Sequence, residues 1–181
     1  LLVGSPRAGR RLRMARVFGY FINPVVLRVQ LAPHRSFADL LDQVNQTVQE
    51  ASEHDAYPFP LLVERLKPGR DPGRTPIVQA IFSWQKTTRM LNVRGTTAAA
   101  LATVGPVLEM GELILEPVPL PHRPVPTNLA LLGGETEDSL ALAIEYNLSL
   151  FDASTIDRML EQLETLLQGS ADDPDRPIST L

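Results

Sequence analysis

Apolar residues recur every three or four positions after Ser36, and this spacing predicts an amphipathic helix over residues 37–53. Ser36 and Asp39 have the separation of a capping box, with Asp in place of the usual Glu or Gln. A shorter second helix is predicted from near Pro60 to the residue before Lys67, because proline fits the first turn of a helix. We expect the apolar stripe of the longer helix to face the core.

Helical spacing returns near the end of the chain. Asp152 is predicted to cap this third helix, and Gly169 is predicted to close it in the left-handed conformation. Its apolar stripe is formed by Ile156, Met159, Leu160, Leu163, Leu166 and Leu167.

Strands are predicted where apolar and β-branched residues run together or alternate with polar ones. The clearest strand covers residues 77–85, and a second covers residues 25–31. Residues 128–132 and 140–146 flank two consecutive glycines, so an antiparallel hairpin with a turn at Gly133 and Gly134 is predicted there.

Two stretches show neither the helical spacing nor the strand alternation of apolar residues. Residues 1–16 carry several glycines and prolines and five arginines, which predicts a loop that follows the end of a strand. Long crossing loops are predicted around one short strand at residues 113–115, because five prolines fall between Glu116 and Pro126. No repeat or internal boundary interrupts the alternation of helices and strands, and the pattern therefore predicts a single α/β unit.

The composition narrows the class of protein. The chain has 181 residues, 44% of them hydrophobic, which suffices for a core without metals or disulfides. No stretch approaches the roughly 20 apolar residues that cross a bilayer, so a soluble, non-membrane protein is predicted. The chain contains no cysteine, which excludes thiolate nucleophiles and fits a reducing, cytoplasmic location. Because residue 1 is Leu and not Met, we expect a piece of a longer chain.

The charge is unevenly distributed. The net charge is −4, but residues 1–94 carry +7 (14 basic, 7 acidic) and residues 95–181 carry −11 (3 basic, 14 acidic). Either an anionic partner docks on the first half or the two halves neutralise each other in the fold. Nucleic acid is not expected as a partner, because the chain is acidic overall and has few aromatic residues. Five arginines lie within ten residues: Arg7, Arg10, Arg11, Arg13 and Arg16.

Motifs of the common catalytic sites are missing from the sequence. The three histidines, His34, His54 and His122, are far apart and form no metal-ligand pair. The glycines near residue 4 lack the remainder of a phosphate-binding loop, and no Gly-x-Ser-x-Gly occurs. The residues alone therefore predict an α/β domain without assigning it a reaction.

Three segments carry a family resemblance. In order, Val17–Arg28 (VFGYFINPVVLR), His54–Pro60 (HDAYPFP) and Arg70–Ile77 (RDPGRTPI) resemble the last three signature motifs of nonribosomal peptide synthetase condensation domains. The family's catalytic His-His-x-x-x-Asp-Gly motif is absent. Residues 1–181 therefore look like the C-terminal lobe alone, without the N-terminal lobe that carries that motif.

The resemblance implies a fold and an activity. The fold is one lobe of a chloramphenicol acetyltransferase-like α/β fold, a mixed sheet flanked by helices, and the family's tunnel runs between two such lobes. The activity is amide-bond formation between two carrier-tethered substrates in nonribosomal peptide or hybrid polyketide synthesis. The chain would supply a tunnel wall and a carrier-docking surface, and the catalytic histidines would come from the absent lobe. The isolated chain is therefore predicted to be inactive.

The implied partners are the missing N-terminal lobe, the donor and acceptor carrier proteins and neighbouring synthetase domains. No cofactor is expected on this chain, since 4′-phosphopantetheine arrives on the carriers. Two alternatives remain open: an acyltransferase that uses an alcohol acceptor, and a non-catalytic carrier-docking module.

Departures from the family pattern leave donor and acceptor preference open. The family usually has Thr where this chain has Pro24, Gln-Asp where it has Asp55-Ala56, a final Glu where it has Pro60, and Asp where it has Asn128.

Candidate site residues follow from the resemblance. Asn23 is similar to the family asparagine that lines the tunnel, with turn chemistry as the alternative, and His54 is a second candidate that could instead cap a helix end. The tunnel-lining candidates are Asn23, His54, Gln79 and Gln85. The structural motif residues are Arg28, Tyr57, Pro58, Phe59, Arg70, Asp71 and Arg74, the last three of which could form an ion-pair turn. The carrier-docking candidates are the five arginines at positions 7, 10, 11, 13 and 16.

Overall fold

The computed structural model describes residues 1–10, 12–69, 71, 73–85, 108–110, 112–115, 127–135 and 140–181. The strands are β1 (Leu2–Arg7), β2 (Asn23–Arg28), β3 (Ala80–Gln85), β4 (Leu108–Met110), β5 (Leu113–Leu115), β6 (Leu129–Glu135) and β7 (Leu140–Tyr146). The helices are α1 (Phe37–Glu53), α2 (Phe59–Leu66) and α3 (Ala153–Asp172), with short 3-10 turns at Leu12–Met14 and Ile178–Thr180.

Five strands form one mixed sheet in the order β2-β1-β3-β6-β7. The β1–β3 and β3–β6 pairs are parallel, whereas β1–β2 and β6–β7 are antiparallel. Helices α1 and α2 pack beside β2, and β4 pairs with β5 in a separate two-stranded sheet. The predicted α/β class, a mixed sheet flanked by helices, is confirmed.

The first strand corrects the prediction of a loop over residues 1–16. β1 lies inside the sheet and pairs along its whole length with β2, from Leu2 opposite Arg28 to Arg7 opposite Asn23. Pro6 stands opposite Pro24, so two residues that cannot donate a hydrogen bond face each other in the ladder. Pairing with strands distant in sequence outweighs the local glycine and proline content of this segment.

The predicted turn at Gly133 and Gly134 is also wrong, because both glycines lie within β6 opposite Leu142 and Ala141. A Cβ atom on Gly133 would lie 2.8 Å from the ring of Trp84 on β3 and 3.0 Å from Leu142. The glycine is therefore needed for the close packing of neighbouring strands, not for a turn. Residues 136–139 lie outside the described residues.

Two strand boundaries differ from prediction. β2 covers 23–28, not 25–31, so Asn23 lies in the strand itself. β3 begins at Ala80, not at residue 77, because Ile77 adopts a positive φ of 66° in a tight turn. The Val78 N–H donates to the Pro76 carbonyl at 2.7 Å in that turn. The predicted strand at 113–115 is confirmed, and the predicted crossing loops fall largely outside the described residues.

The first two helices agree with prediction. Both hydrogen bonds of the capping box are present: the Asp39 N–H donates to Ser36 Oγ at 3.1 Å, and the Ser36 N–H donates to Asp39 Oδ2 at 3.3 Å. α2 has proline in its first turn and ends at Leu66; Lys67 is its C-cap, and its φ of 46° lies in the left-handed region.

The third helix begins where predicted but extends beyond its predicted end. Asp152 occupies the N-cap position, but its side chain makes no capping hydrogen bond. Gly169 lies inside the helix, which continues to Asp172, so the predicted left-handed closure at Gly169 is wrong. Because backbone hydrogen bonding continues past the glycine, a single unfavourable residue does not end the helix.

The buried core of the described residues draws on the sheet and on α3. Its buried apolar residues are Leu27, Val29, Val78, Ala130 and Ile156. The segment after α3 returns to the start of α1, where the Ile178 N–H donates to the Arg35 carbonyl at 2.9 Å. Within the described residues, no helix combines the length and apolar character required to cross a membrane.

Candidate functional site

Asn23 links the start of β2 to residues 54–59, here called the motif loop. Its Nδ2 donates to the carbonyl oxygens of Asp55 and Tyr57, both at 2.9 Å. Its Oδ1 accepts the N–H of Phe59 at 3.0 Å. One half-buried amide side chain therefore fixes the backbone of the motif loop at three points.

The motif loop follows from local sequence at both of its ends. His54 is the C-cap of α1, and its carbonyl accepts the Tyr57 N–H at 3.1 Å. Pro58 has an extended backbone and precedes the first residue of α2, as expected for a proline that cannot donate within a helix. The predicted position of His54 at a helix end is therefore correct, and its side chain is exposed.

The hydrogen bonds of Asn23 change its expected chemistry. Both amide hydrogens are bound to backbone carbonyls, so the side chain has no free N–H to offer a substrate. What remains is one lone pair on Oδ1 beyond the bond from Phe59. A tunnel-lining role for Asn23 stays a prediction, whereas its positioning of the motif loop is a property of the structure.

A groove of about 500 Å³ lies beside this amide. Asn23 and the motif-loop residues Asp55, Ala56 and Pro58 form one side. The other side is lined by Gly9, Arg10, Met14 and Phe21.

Arg10 organises the segment opposite the motif loop. Its Nη1 donates to the carbonyls of Met14, at 3.1 Å, and Val17, and its Nη2 donates to the carbonyl of Gly19 at 3.0 Å. The guanidinium also lies 4.2 Å from the centre of the Phe21 ring, within cation–π range. From the sequence, Arg10 was predicted only as one of the carrier-docking arginines, because the residues around it do not indicate that the chain folds back onto its side chain.

The other candidate docking arginines have different environments. Arg7 donates to the hydroxyl of Ser52 at 2.9 Å, while Arg16 is exposed. Arg11 and the side chain of Arg13 lie outside the described residues. Neither Arg7, Arg10 nor Arg16 forms an ion pair with a described carboxylate, so the described residues do not support neutralisation of these arginines by the acidic half.

A second groove, of about 620 Å³, runs between β2 and α1. His54, Tyr57 and Phe59 line it together with Arg28, which is exposed and has no carboxylate partner among the described residues. Gln43 also lines this groove, and its buried Oε1 has no hydrogen-bond partner among the described residues. The helical spacing of α1 gave no reason to single out this glutamine.

The third motif forms the predicted ion-pair turn in part. Arg74 Nε lies 3.5 Å from Asp71 Oδ2, and the Gly73 N–H donates to Asp71 Oδ1 at 2.9 Å. The Arg74 N–H also donates to the Asp71 carbonyl at 3.1 Å, which closes the turn. Arg70 lies outside the described residues. Because the ion pair is largely exposed, it contributes little stability.

Gln79 does not line the Asn23 groove. Gln79 is exposed, donates through Nε2 to the Thr75 carbonyl at 3.0 Å, and lines a groove of about 1100 Å³ beside α2. Gln85 pairs through its backbone with Gly134, and its side chain lies outside the described residues. The structure thus brings Asn23 and the motif loop together and places the third motif beside α2.

Comparison with known proteins identifies the class. The family model described as "Condensation domain" matches residues 1–181, and the chain belongs to this family. The chain is 32% identical over 182 residues to surfactin synthase subunit 1 of Bacillus subtilis (strain 168), covering 100% of the chain and 5% of that protein. It is 33% identical over 186 residues to the isonitrile lipopeptide synthase of Mycobacterium tuberculosis, covering 99% of the chain and 7% of that protein.

Solved structures support the fold. A four-domain nonribosomal peptide synthetase bound to AMP and glycine matches the whole chain with a TM-score of 0.85 and 22% identity, over 14% of its own length. The condensation domain of the monacolin K polyketide synthase MokA matches 98% of the chain with a TM-score of 0.70 and 19% identity, over 38% of its own length. The chain thus spans well under half of a solved condensation domain.

Proposed function

We propose that this chain is the C-terminal lobe of a condensation domain that joins two carrier-tethered substrates through an amide bond. The observation that carries the proposal is that the family match includes the whole chain, although the chain matches only part of each solved condensation domain. The family match extends over all 181 residues, yet the chain spans only 38% of the MokA condensation domain and 36% of the first condensation domain of the calcium-dependent antibiotic synthetase. The unmatched 62–64% of those chains is larger than this chain and includes room for another lobe.

In this proposal the chain forms one wall of a substrate tunnel. It contributes the groove of about 500 Å³ between the motif loop and residues 9–21. Asn23 fixes the motif loop on one side of this groove through its three hydrogen bonds. Within the described residues no cluster of His, Cys, Asp or Glu could hold a metal ion. The acid–base histidine comes from the N-terminal lobe, and 4′-phosphopantetheine arrives on the carrier proteins.

Carrier docking is the second part of the proposal. Arg16 is exposed, whereas the Arg7 side chain binds Ser52 and the exposed Arg10 side chain binds backbone carbonyls of the segment after it. Exposed charge pairs contribute about 0.2–1 kcal/mol each, so Arg16 adds to docking by a modest, salt-sensitive amount.

The test compares the intact domain with the 181-residue chain. Both are mixed with a donor-loaded and an acceptor-loaded carrier protein, and the product on the acceptor carrier is followed by mass spectrometry. The intact domain is expected to form an amide and the chain alone to form none, because the catalytic motif is absent from it. Comparable turnover by the chain alone would refute the assignment as a partial domain.

The acceptor nucleophile distinguishes the alternatives. Acceptors that differ only in an amine or a hydroxyl group are offered to the intact domain. A preference for the hydroxyl acceptor would indicate an ester-forming acyltransferase, and binding of both carriers without any product would indicate a docking module.

A further inference from the structure

The segment between β1 and β2 exposes large apolar side chains. We call residues 12–22 the apolar loop. Leu12 is 96% exposed, Phe18 is fully exposed and Tyr20 is 84% exposed. Soluble proteins seldom leave several such side chains together in water without a partner, because each one forfeits the free energy of burial.

The backbone of the apolar loop is nevertheless held by hydrogen bonds. Arg10 binds three of its carbonyl oxygens, and the guanidinium covers the ring of Phe21. Two turn bonds, from Ala15 N–H to Leu12 O at 3.1 Å and from Val17 N–H to Met14 O at 3.0 Å, hold the first half. The exposed side chains of Phe18 and Tyr20 are thus presented by a backbone fixed before any partner arrives, which lowers the entropy cost of binding.

The apolar loop also lies next to the candidate site. It leaves the sheet after β1 and re-enters it at Asn23, and Met14 and Phe21 line the groove that faces the motif loop. A partner that covers the apolar loop therefore lies at the edge of this groove.

We propose that Leu12, Phe18 and Tyr20 pack against the N-terminal lobe of the same domain. This inference rests on the proposed function, since it assumes a second lobe. The matched part of the solved condensation domains is 36–38% of their length, which leaves a body large enough to cover this surface. A carrier protein fits less well, because the side chains of Leu12, Phe18 and Tyr20 carry no charge; the exposed Arg16 of the same loop is the candidate for carrier docking.

Hydroxyl-radical footprinting of the intact domain tests the contact without any substitution. Labelling rates are divided by the intrinsic reactivity of each residue type, and Leu148, a 66% exposed residue beyond β7, serves as the internal reference. Phe18 and Tyr20 are expected to be labelled at least about threefold more slowly than Leu148, because contact with the lobe covers most of their surface. Labelling at the rate of Leu148 would overturn the proposal.

A double variant measures the size of the effect. Phe18→Ser with Tyr20→Ser is expected to lower the Tm of the intact domain by roughly 5 °C or more, since both side chains lose their buried contacts. Leu148→Ser is the matched control and is expected to leave the Tm within about 1 °C. An unchanged Tm in the double variant would contradict the proposal.

Other occupants give different results. If protection of Phe18 and Tyr20 arises only after a carrier protein is added, the surface docks a carrier and the proposal fails. If protection depends on protein concentration, the surface binds a second copy and the proposal also fails. Condensation activity is measured on the same sample: protection without any product leaves the lobe contact intact and refutes the proposed function instead.

Discussion

The hydrogen bonds of Asn23 predict that this side chain stabilises the domain as well as shaping its groove. Asn23→Ala removes two bonds to the Asp55 and Tyr57 carbonyls and leaves the Phe59 N–H without its acceptor. A protein hydrogen bond contributes about 0.5–1.5 kcal/mol net, so three bonds at a partly exposed site amount to about 2–3 kcal/mol. For a domain of this size, that loss corresponds to a fall in Tm of roughly 5–10 °C.

Two further substitutions separate the hydrogen bonds from side-chain volume. Asn23→Asp keeps an acceptor for Phe59 but places a carboxylate against two carbonyl oxygens, so it should destabilise at least as much as alanine. Asn45→Ala is the matched control, since Asn45 is exposed on α1 and its side chain accepts a long, 3.4 Å bond from Gln49. It should leave the Tm within about 1 °C.

The assay combines thermal unfolding by circular dichroism with hydrogen exchange of the motif loop. In Asn23→Ala, the Phe59 amide should exchange faster at temperatures well below the transition, because its acceptor is lost. If the Tm falls by less than about 2 °C and the Phe59 amide keeps its protection, the three bonds do not hold the loop and the reasoning is refuted.

Four other changes test separate features of the fold and surface. Gly9→Ala should lower the free energy of unfolding by more than about 2 kcal/mol, because Gly9 has a φ of 56° and a Cβ would collide with the Phe21 carbonyl oxygen. Urea unfolding measures this loss, and Gly69→Ala, where a Cβ meets nothing within 4 Å, is the control. Gly169→Ala should raise the free energy of unfolding by about 0.5–1 kcal/mol in the same assay, because alanine is favoured over glycine inside a helix. A lower free energy of unfolding would mean that the new Cβ, 3.5 Å from Leu181, is too close to it. Asp71→Ala should lower the free energy of unfolding by at most about 1.5 kcal/mol, since the side chains of its ion pair are 68% (Arg74) and 57% (Asp71) exposed. A larger loss would mean that the turn at residues 71–74 helps to hold the core. Arg16→Glu in the intact domain should raise the KM for one carrier by about two- to fivefold at low salt and leave kcat unchanged; an unaltered KM and salt slope would exclude Arg16 from docking.

Some features of the site could be predicted because they depend on neighbours in sequence. The Asp71–Arg74 pair spans one turn, and His54 ends a helix whose apolar period defines its length. The order of the three motif segments predicted the condensation-domain family, which the family model confirms. The roles of Asn23 and Arg10 could not be derived in this way, since neither residue type indicates which backbone groups it will meet.

The sequence by itself determined where the helices begin, the capping box of α1, the short strand at 113–115 and the family, because each depends on residues a few positions apart or on ordered motifs. Only the tertiary structure decided that residues 2–7 form an inner strand, that Gly133 lies under Trp84, and that Asn23 binds backbone groups 32 to 36 residues away. Strand pairing and side-chain bonds to distant backbone gain free energy only once the chain has folded back on itself. The glycine, proline and arginine content of a short segment therefore does not predict which distant strand or backbone group that segment will contact.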